Sequence, residues 1–277
     1  MAAYPESLKT ISWNVAGRVR KQPHQIDAVL QSDADIIALQ EIILTTQPRW
    51  ILSLSKAGYF VICSSDFVED KSKLKGGRRY SIIIASKWGF DTISPEVLSI
   101  PWQERLLSVI IDSPWGPLEF HNIHMPAGVS HGVIKVQTFE GLYQFLAHPS
   151  DNLRILCGDF NSPREEYADG RILFWGKTRR AHQGVMINDP NDRQANAERS
   201  VIKGLAEYDL VDVYRSVHGY EDHGYSWIHK WRERRTYRRF DHIFASSKLN
   251  PIRCEYLYEI LDAKLSDHAP IEVEFMP

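Results

Sequence analysis

Strand-like and helical segments alternate along the whole sequence, which predicts an α/β protein of two packed sheets flanked by helices. Three observations carry this expectation. Eight short apolar stretches have strand character, four stretches between them carry apolar residues at helical spacing, and no linker, repeat or low-complexity tract divides them.

Taken in order, "KTISWNV" (9–15) alternates Ile11 and Trp13 with polar residues and reads as the first strand, followed by the helical stretch "HQIDAVLQS". "DIIALQE" (35–41) is the second strand, and "PRWILSLSKAG" is a helix with Gly58 as its stop. "YSIIIAS" (80–86), "RLLSVIID" (105–112) and "LEFHNIHM" (118–125) are apolar and rich in β-branched residues, as strands are. "IKVQTFEGLYQFLAH" and "NAERSVIKGLAEY" return to helical spacing on either side of the strand "LRILCGDF" (153–160). "RRFDHIFAS" (238–246) and "LSDHAPIEVEF" (265–275) close the set, the latter alternating Ile271, Val273 and Phe275 with two glutamates.

At 277 residues with 43% hydrophobic content, length alone allows one large domain as readily as two. Every apolar run is interrupted by charge or Pro before the roughly 20 residues of a membrane span. "MAAYPESLKT" lacks the charged-then-apolar pattern of a targeting segment, and Cys63, Cys157 and Cys254 are odd in number and widely spaced. Free thiols, a reducing compartment and hence the cytoplasm are the expectation, with a monomer as the working form.

The net charge of −2 gives no general attraction to nucleic acid, but the distribution does. "HKWRERRTYRR" (229–239) sets six basic residues against Glu233, with Trp231 and Tyr237 between them; "KSKLKGGRR" (71–79) and "KTRR" (177–180) are further basic runs. Singly, such runs are solvated faces. Three of them in loop-like segments match a phosphate track with aromatics for base stacking.

Polar residues gather where the strands end: Asn14, Glu41, His124, Asp159 with Asn161, Asp241, and Asp267 with His268. Strand ends are where loops build sites on a rigid frame. Taken alone, Asn14 is a turn former, Glu41 a solvated end and His124 a core histidine. "GDFN" is harder to read that way, because two polar groups spaced two apart share one side of an extended strand directly after an apolar run.

The ordered set "ISWNVAG", "ALQE", "HMP", "GDFNSP", "RRFDHIFAS" and "SDHAPIEVEF" resembles the endonuclease/exonuclease/phosphatase superfamily, in its exonuclease III-like or deoxyribonuclease I-like branches, over nearly the whole chain. The resemblance implies a single domain spanning 1–277, a four-layered α/β sandwich of two mixed sheets flanked by helices, and phosphoester hydrolysis with Mg²⁺, for which Mn²⁺ can substitute. It also implies roles. Glu41, Asn14 and Asp267 would hold the metal, and Asp159 would orient or deprotonate water, with Asn161 holding a phosphate oxygen or the water. His268, aimed by Asp241, would stabilise the transition state, and His124 would contact the phosphate or leaving group. Arg105, Trp227, Trp231, Arg234, Arg235 and Arg238 would bind a nucleic-acid substrate, DNA in particular. Two positions depart from the abasic-endonuclease pattern: Ala16 stands where an acid is common, and "HMPA" replaces "YVPN". The alternative on the same scaffold is a phosphomonoesterase or a lipid or sugar phosphatase.

Overall fold

The computed structural model describes residues 5–181 and 184–276, apart from the side chains of Val129, Ser130, Lys230 and Trp231. Its frame is two six-stranded sheets. The first runs in the order Asn250–Tyr256, Ile271–Met276, Leu8–Asn14, Ile36–Ile42, Ser81–Ser86, Phe60–Cys63. The second runs Val211–Asp212, Asp241–Ala245, Leu153–Asp159, Gly116–His124, Leu106–Ser113, Phe90–Thr92. Both are mixed: Leu8–Asn14 lies parallel to Ile36–Ile42 but antiparallel to Ile271–Met276, and Gly116–His124 lies parallel to Leu153–Asp159.

The period-two alternation sends successive residues into different layers. Ile36 and Ala38 face the opposite sheet, where they meet Leu107, Val109, Phe120, Ile155 and Cys157. Ile37 and Leu39 turn outward and pack with Val29, Trp50 and Leu54 of helices Gln22–Gln31 and Gln47–Lys56. On the far side, Phe139 and Leu142 of helix Gly128–Leu146 and Val201 of helix Arg193–Ile202 cover Ile123, Leu156 and Phe244. Four layers result because both faces of both sheets are apolar and each needs a cover.

Local signals explain the helix boundaries. Pro sits in the first turn of both helices on the first sheet, where its missing N–H costs nothing. Gly58, at φ +93°, follows the second of them, as the sequence suggested. Asp192 caps helix Arg193–Ile202 by accepting from the Ala195 amide at 2.8 Å.

One polar layer interrupts the apolar interface. Gln40 Nε2 donates across the sheets to Asn122 Oδ1 at 2.8 Å and within its own sheet to Ser12 Oγ at 3.1 Å, and Asn122 Nδ2 donates back across to the Ile83 carbonyl at 2.9 Å. Among the described residues, no helix is long and apolar enough to cross a membrane. The three cysteines are free and buried.

The structure adds strands that the pattern concealed. Phe60–Cys63 and Phe90–Thr92 are short edges, and Asn250–Tyr256 is an edge whose exposed face breaks the apolar alternation. The basic stretch read as a loop is instead a hairpin, Trp227–Trp231 paired with Arg234–Arg238, turning through Arg232 at φ +53°.

Candidate active site

Strands of both sheets end along one edge of the sandwich, and the polar residues noted in the sequence meet there. His124 and Asp159 are cross-strand partners at the ends of adjacent strands, and Asp159 is in turn opposite Asp241. From the facing sheet, Asn14 ends its strand, Glu41 stands one residue from the end of its own, and His268 precedes Ile271–Met276. The strand carrying Glu41 loses register between Leu39 and Ile42, and Glu41 has φ +59°. That left-handed backbone costs a non-glycine residue roughly 1–3 kcal/mol. It leaves Gln40 in the inter-sheet layer and Glu41 at the cleft.

Asn14 joins the two sheets. Its Oδ1 accepts from the Ala16 amide at 2.9 Å, so its Nδ2 faces Asp159 Oδ2 at 2.9 Å and Glu41 Oε1 at 3.2 Å. Asn14 thus presents a donor to the two carboxylates, where the sequence reading had it as a metal ligand. Asn161 also differs from expectation: it is not extended but left-handed, at φ +49°. It reaches Asp159 through its backbone amide, 2.9 Å from Oδ1, while its Nδ2 donates to the Met125 carbonyl at 2.9 Å.

The two histidines carry different charges. His268 Nδ1 lies 2.7 Å from Asp241 Oδ2. Burial opposes the charged imidazole, but the carboxylates of Asp241 and Asp159 outweigh it and push His268 up to about 10. His124 goes the other way: burial, then the charges of Arg105 and His268, hold it well below its ordinary value. The Arg105 guanidinium is always a donor, so its bond to His124 Nδ1 leaves the proton on Nε2. That N–H faces Glu41 Oε1 at 3.5 Å and Asp159 Oδ2 at 3.7 Å.

Burial raises Glu41 and brings Asp159 up to about 7, with Asp241 reinforcing Asp159's shift and His268 opposing it. Candidate ligand atoms of Glu41, His124 and Asp159 lie within 4.8 Å of one another. Two neighbouring carboxylates met only by neutral donors on this side, and both pushed toward protonation by burial, are a fit for a divalent cation with oxygen preference. Asp159, Asp241 and His268 form a second such cluster, but there the imidazole and Asp241 already satisfy each other. Asp267 lies on the rim, 54% exposed and 3.5 Å from Arg18.

The Endonuclease/Exonuclease/phosphatase family model matches residues 11–268, from the first strand to His268. The chain belongs to this family. No curated protein matches the sequence significantly. Solved structures share the family fold: an AP endonuclease from Archaeoglobus fulgidus (21% identity, TM-score 0.70, covering 97% of this chain and 99% of that one); the 3′-5′ exonuclease NExo from Neisseria meningitidis (20%, 0.68, 98% and 100%); and a humanized D. rerio TDP2 carrying 14 mutations (18%, 0.68, 99% and 100%).

In this family member Glu41, His124, Asp159 and His268 open onto a cleft of about 950 Å³. Trp227 forms one wall, its ring stacked on Phe240 at 5.4 Å and its backbone bridged to His268. The hairpin register pairs Trp227 with Arg238, so the two-residue period puts Arg234 and Arg238 on the cleft side and Arg235 on the other. Arg235 borders a separate cavity of about 330 Å³ behind the hairpin, and Arg238 borders both. The three arginines expected to act together are therefore split between two faces. The side chain of Trp231 lies outside the described residues. Two other basic residues are structural: Arg78 forms a bidentate pair with Glu104, and buried Arg239 pairs with Glu166 and Asp212.

Sequence reasoning missed several lining residues. Tyr80 stands 5.9 Å from the His124 ring, and Trp102, Trp175 and Phe240 complete the walls. Ser226 accepts from the Phe240 and Asp241 amides, both at 3.0 Å, fixing Asp241 at the hairpin root. Tyr80 adjoins the basic run 71–79, the one signal that pointed to it.

Proposed function

We propose that this protein is a divalent-metal-dependent phosphodiester hydrolase acting on nucleic acid, with DNA the favoured polymer. The observation that carries the reading is the buried His268–Asp241 pair and the Asp159 carboxyl opening together onto a cleft walled by Trp227 and Arg238. A phosphodiester is an anion attacked by water, so its site needs a base, a cationic donor and a grip on the flanking strand. The solved relatives include TDP2 with a single-strand DNA product and NExo with a product DNA hairpin, which supports DNA as the polymer.

Glu41 would hold Mg²⁺, with Mn²⁺ as a substitute, and the ion supplies charge neutralisation at the phosphate oxygens. Asp159, poised near neutrality, takes the proton from water while the Asn161 amide holds its other oxygen. His268, kept charged by Asp241, stabilises the negative charge that builds on the phosphorus-bound oxygens. Neutral His124 donates a hydrogen bond from its Nε2–H to a phosphate oxygen, with Arg105 locking the tautomer from behind. Trp227 offers a face for base stacking, and Arg234 and Arg238 contact backbone phosphates. The chain is read as one domain, monomeric, and the buried free thiols suit a reducing cytoplasm.

The test is parallel hydrolysis of supercoiled plasmid, an abasic-site duplex, a short RNA and a small phosphomonoester, each with Mg²⁺ and with chelator. Metal-dependent cleavage of a DNA probe is expected. Turnover of the phosphomonoester alone would move the protein to the phosphatase side of the family.

A further inference from the structure

Behind Asn161, under the floor of the cleft, lies a buried polar cluster that none of these roles uses. Glu198, fully buried on helix Arg193–Ile202, faces four donors. Lys135 Nζ and Gln194 Nε2 approach Oε1 at 3.0 and 3.2 Å, and Ser162 Oγ and the Trp175 amide approach Oε2 at 2.7 and 3.1 Å. Lys135, 1% exposed on the neighbouring helix Gly128–Leu146, also donates to the Asn161 carbonyl at 2.8 Å. That carbonyl accepts again from Trp175 Nε1 at 3.0 Å.

A buried ion pair adds little stability over an apolar replacement of similar volume, so stability alone is a poor reason for this one. Its direction is more informative. Asn161 sits between two fixed peptide groups: its amide is bonded to Asp159 Oδ1, and its carbonyl is held by Lys135 and Trp175. With the carbonyl released, a left-handed residue has lower-energy backbone to relax into.

We propose that Lys135 and Glu198 are positioning residues of the hydrolytic site, whose ion pair fixes the Asn161 carbonyl and thereby the turn that aims the Asn161 amide at Asp159. The inference rests on the reading of Asp159 as the residue that handles water. It assigns function to two side chains on two helices, Lys135 at the cleft border and Glu198 behind it.

Two variants test it. Lys135→Met removes the cation, and the pair Lys135→Met with Glu198→Gln removes both charges, so that no unpaired charge threatens folding. Melting temperature and circular dichroism report the fold. On a DNA duplex that the wild type cleaves, kcat should fall by about 10–100-fold, the range for outer partners of a catalytic group, with KM little changed. Combined with Asn161→Ala, the losses should fall short of multiplying, because all act through one turn. Independently of any substrate, hydrogen exchange at the Asn161 amide should accelerate by about tenfold or more in the folded double variant. Wild-type kcat with unchanged exchange overturns the proposal, as does a loss confined to KM. If the wild type cleaves no probe, the hydrolase reading fails by itself. The exchange rate then decides: acceleration supports the positioning role and an unchanged rate overturns it.

Discussion

His268 and Asp241 meet at 2.7 Å, the His268 side chain nearly buried at the cleft and Asp241 fully buried behind it, one from each sheet. The pair is therefore a clasp across the sandwich as well as the cation of the proposed mechanism.

This clasp has a pH signature. His268's pKa is raised from its ordinary 6.5 to about 10 in the folded state. Its stabilisation is thus complete below about 6.5 and is lost as pH climbs through about 10. Asp241→Asn should flatten the alkaline fall in melting temperature between those limits. Because Asn retains an acceptor, its cost near pH 6 should sit at the low end of the about 3–5 kcal/mol typical of breaking a buried pair. Melting curves from pH 6 to 10.5 on both proteins check this, and parallel slopes would refute it.

Asp159→Asn separates chemistry from binding. Turnover should fall by the roughly 10²- to 10⁴-fold typical of a lost general base. Affinity for duplex should hold or rise, since a negative charge facing phosphate is gone. Single-turnover rates and equilibrium binding on one duplex measure both. A folded mutant with the wild-type rate removes Asp159 from the mechanism.

Glu41→Gln tests the metal site. Mn²⁺ affinity should drop by more than the about 10–100-fold seen when an outer partner of a metal ligand is lost. Titration calorimetry reads this without reference to activity. Undiminished affinity, or full activity in excess chelator, contradicts the assignment.

The hairpin predicts an asymmetry between neighbours. Arg238→Glu should weaken DNA binding and flatten the log–log salt dependence by about 0.7–0.9, one phosphate contact. Arg235→Glu, on the opposite face, should leave the slope near wild type. Equal effects would mean that DNA does not follow the cleft.

The central strands were legible from their apolar runs, and part of the candidate site with them, because Asp159 and Glu41 lie near the ends of such runs, whereas Asp241 opens its strand and His268 precedes its own. Edge strand Asn250–Tyr256 was not, since its exposed residues break the alternation. The face-splitting of Arg235 and Arg238 needed a register, and the hairpin turn at Arg232 carries no glycine to announce it. Glu198 was invisible for another reason: its partners Lys135, Ser162 and Trp175 lie 63, 36 and 23 residues away, so no local pattern marks them.

The Gln40–Asn122 bond couples the sheets directly beneath residues that must work together. Glu41 and Asn14 ride on one sheet, His124 and Asp159 on the other, so sliding by even one ångström separates the water-handling group from the cation site. On the proposed roles, activity is then expected to fade on warming while the strands are still paired, with the inactivation temperature below the melting temperature.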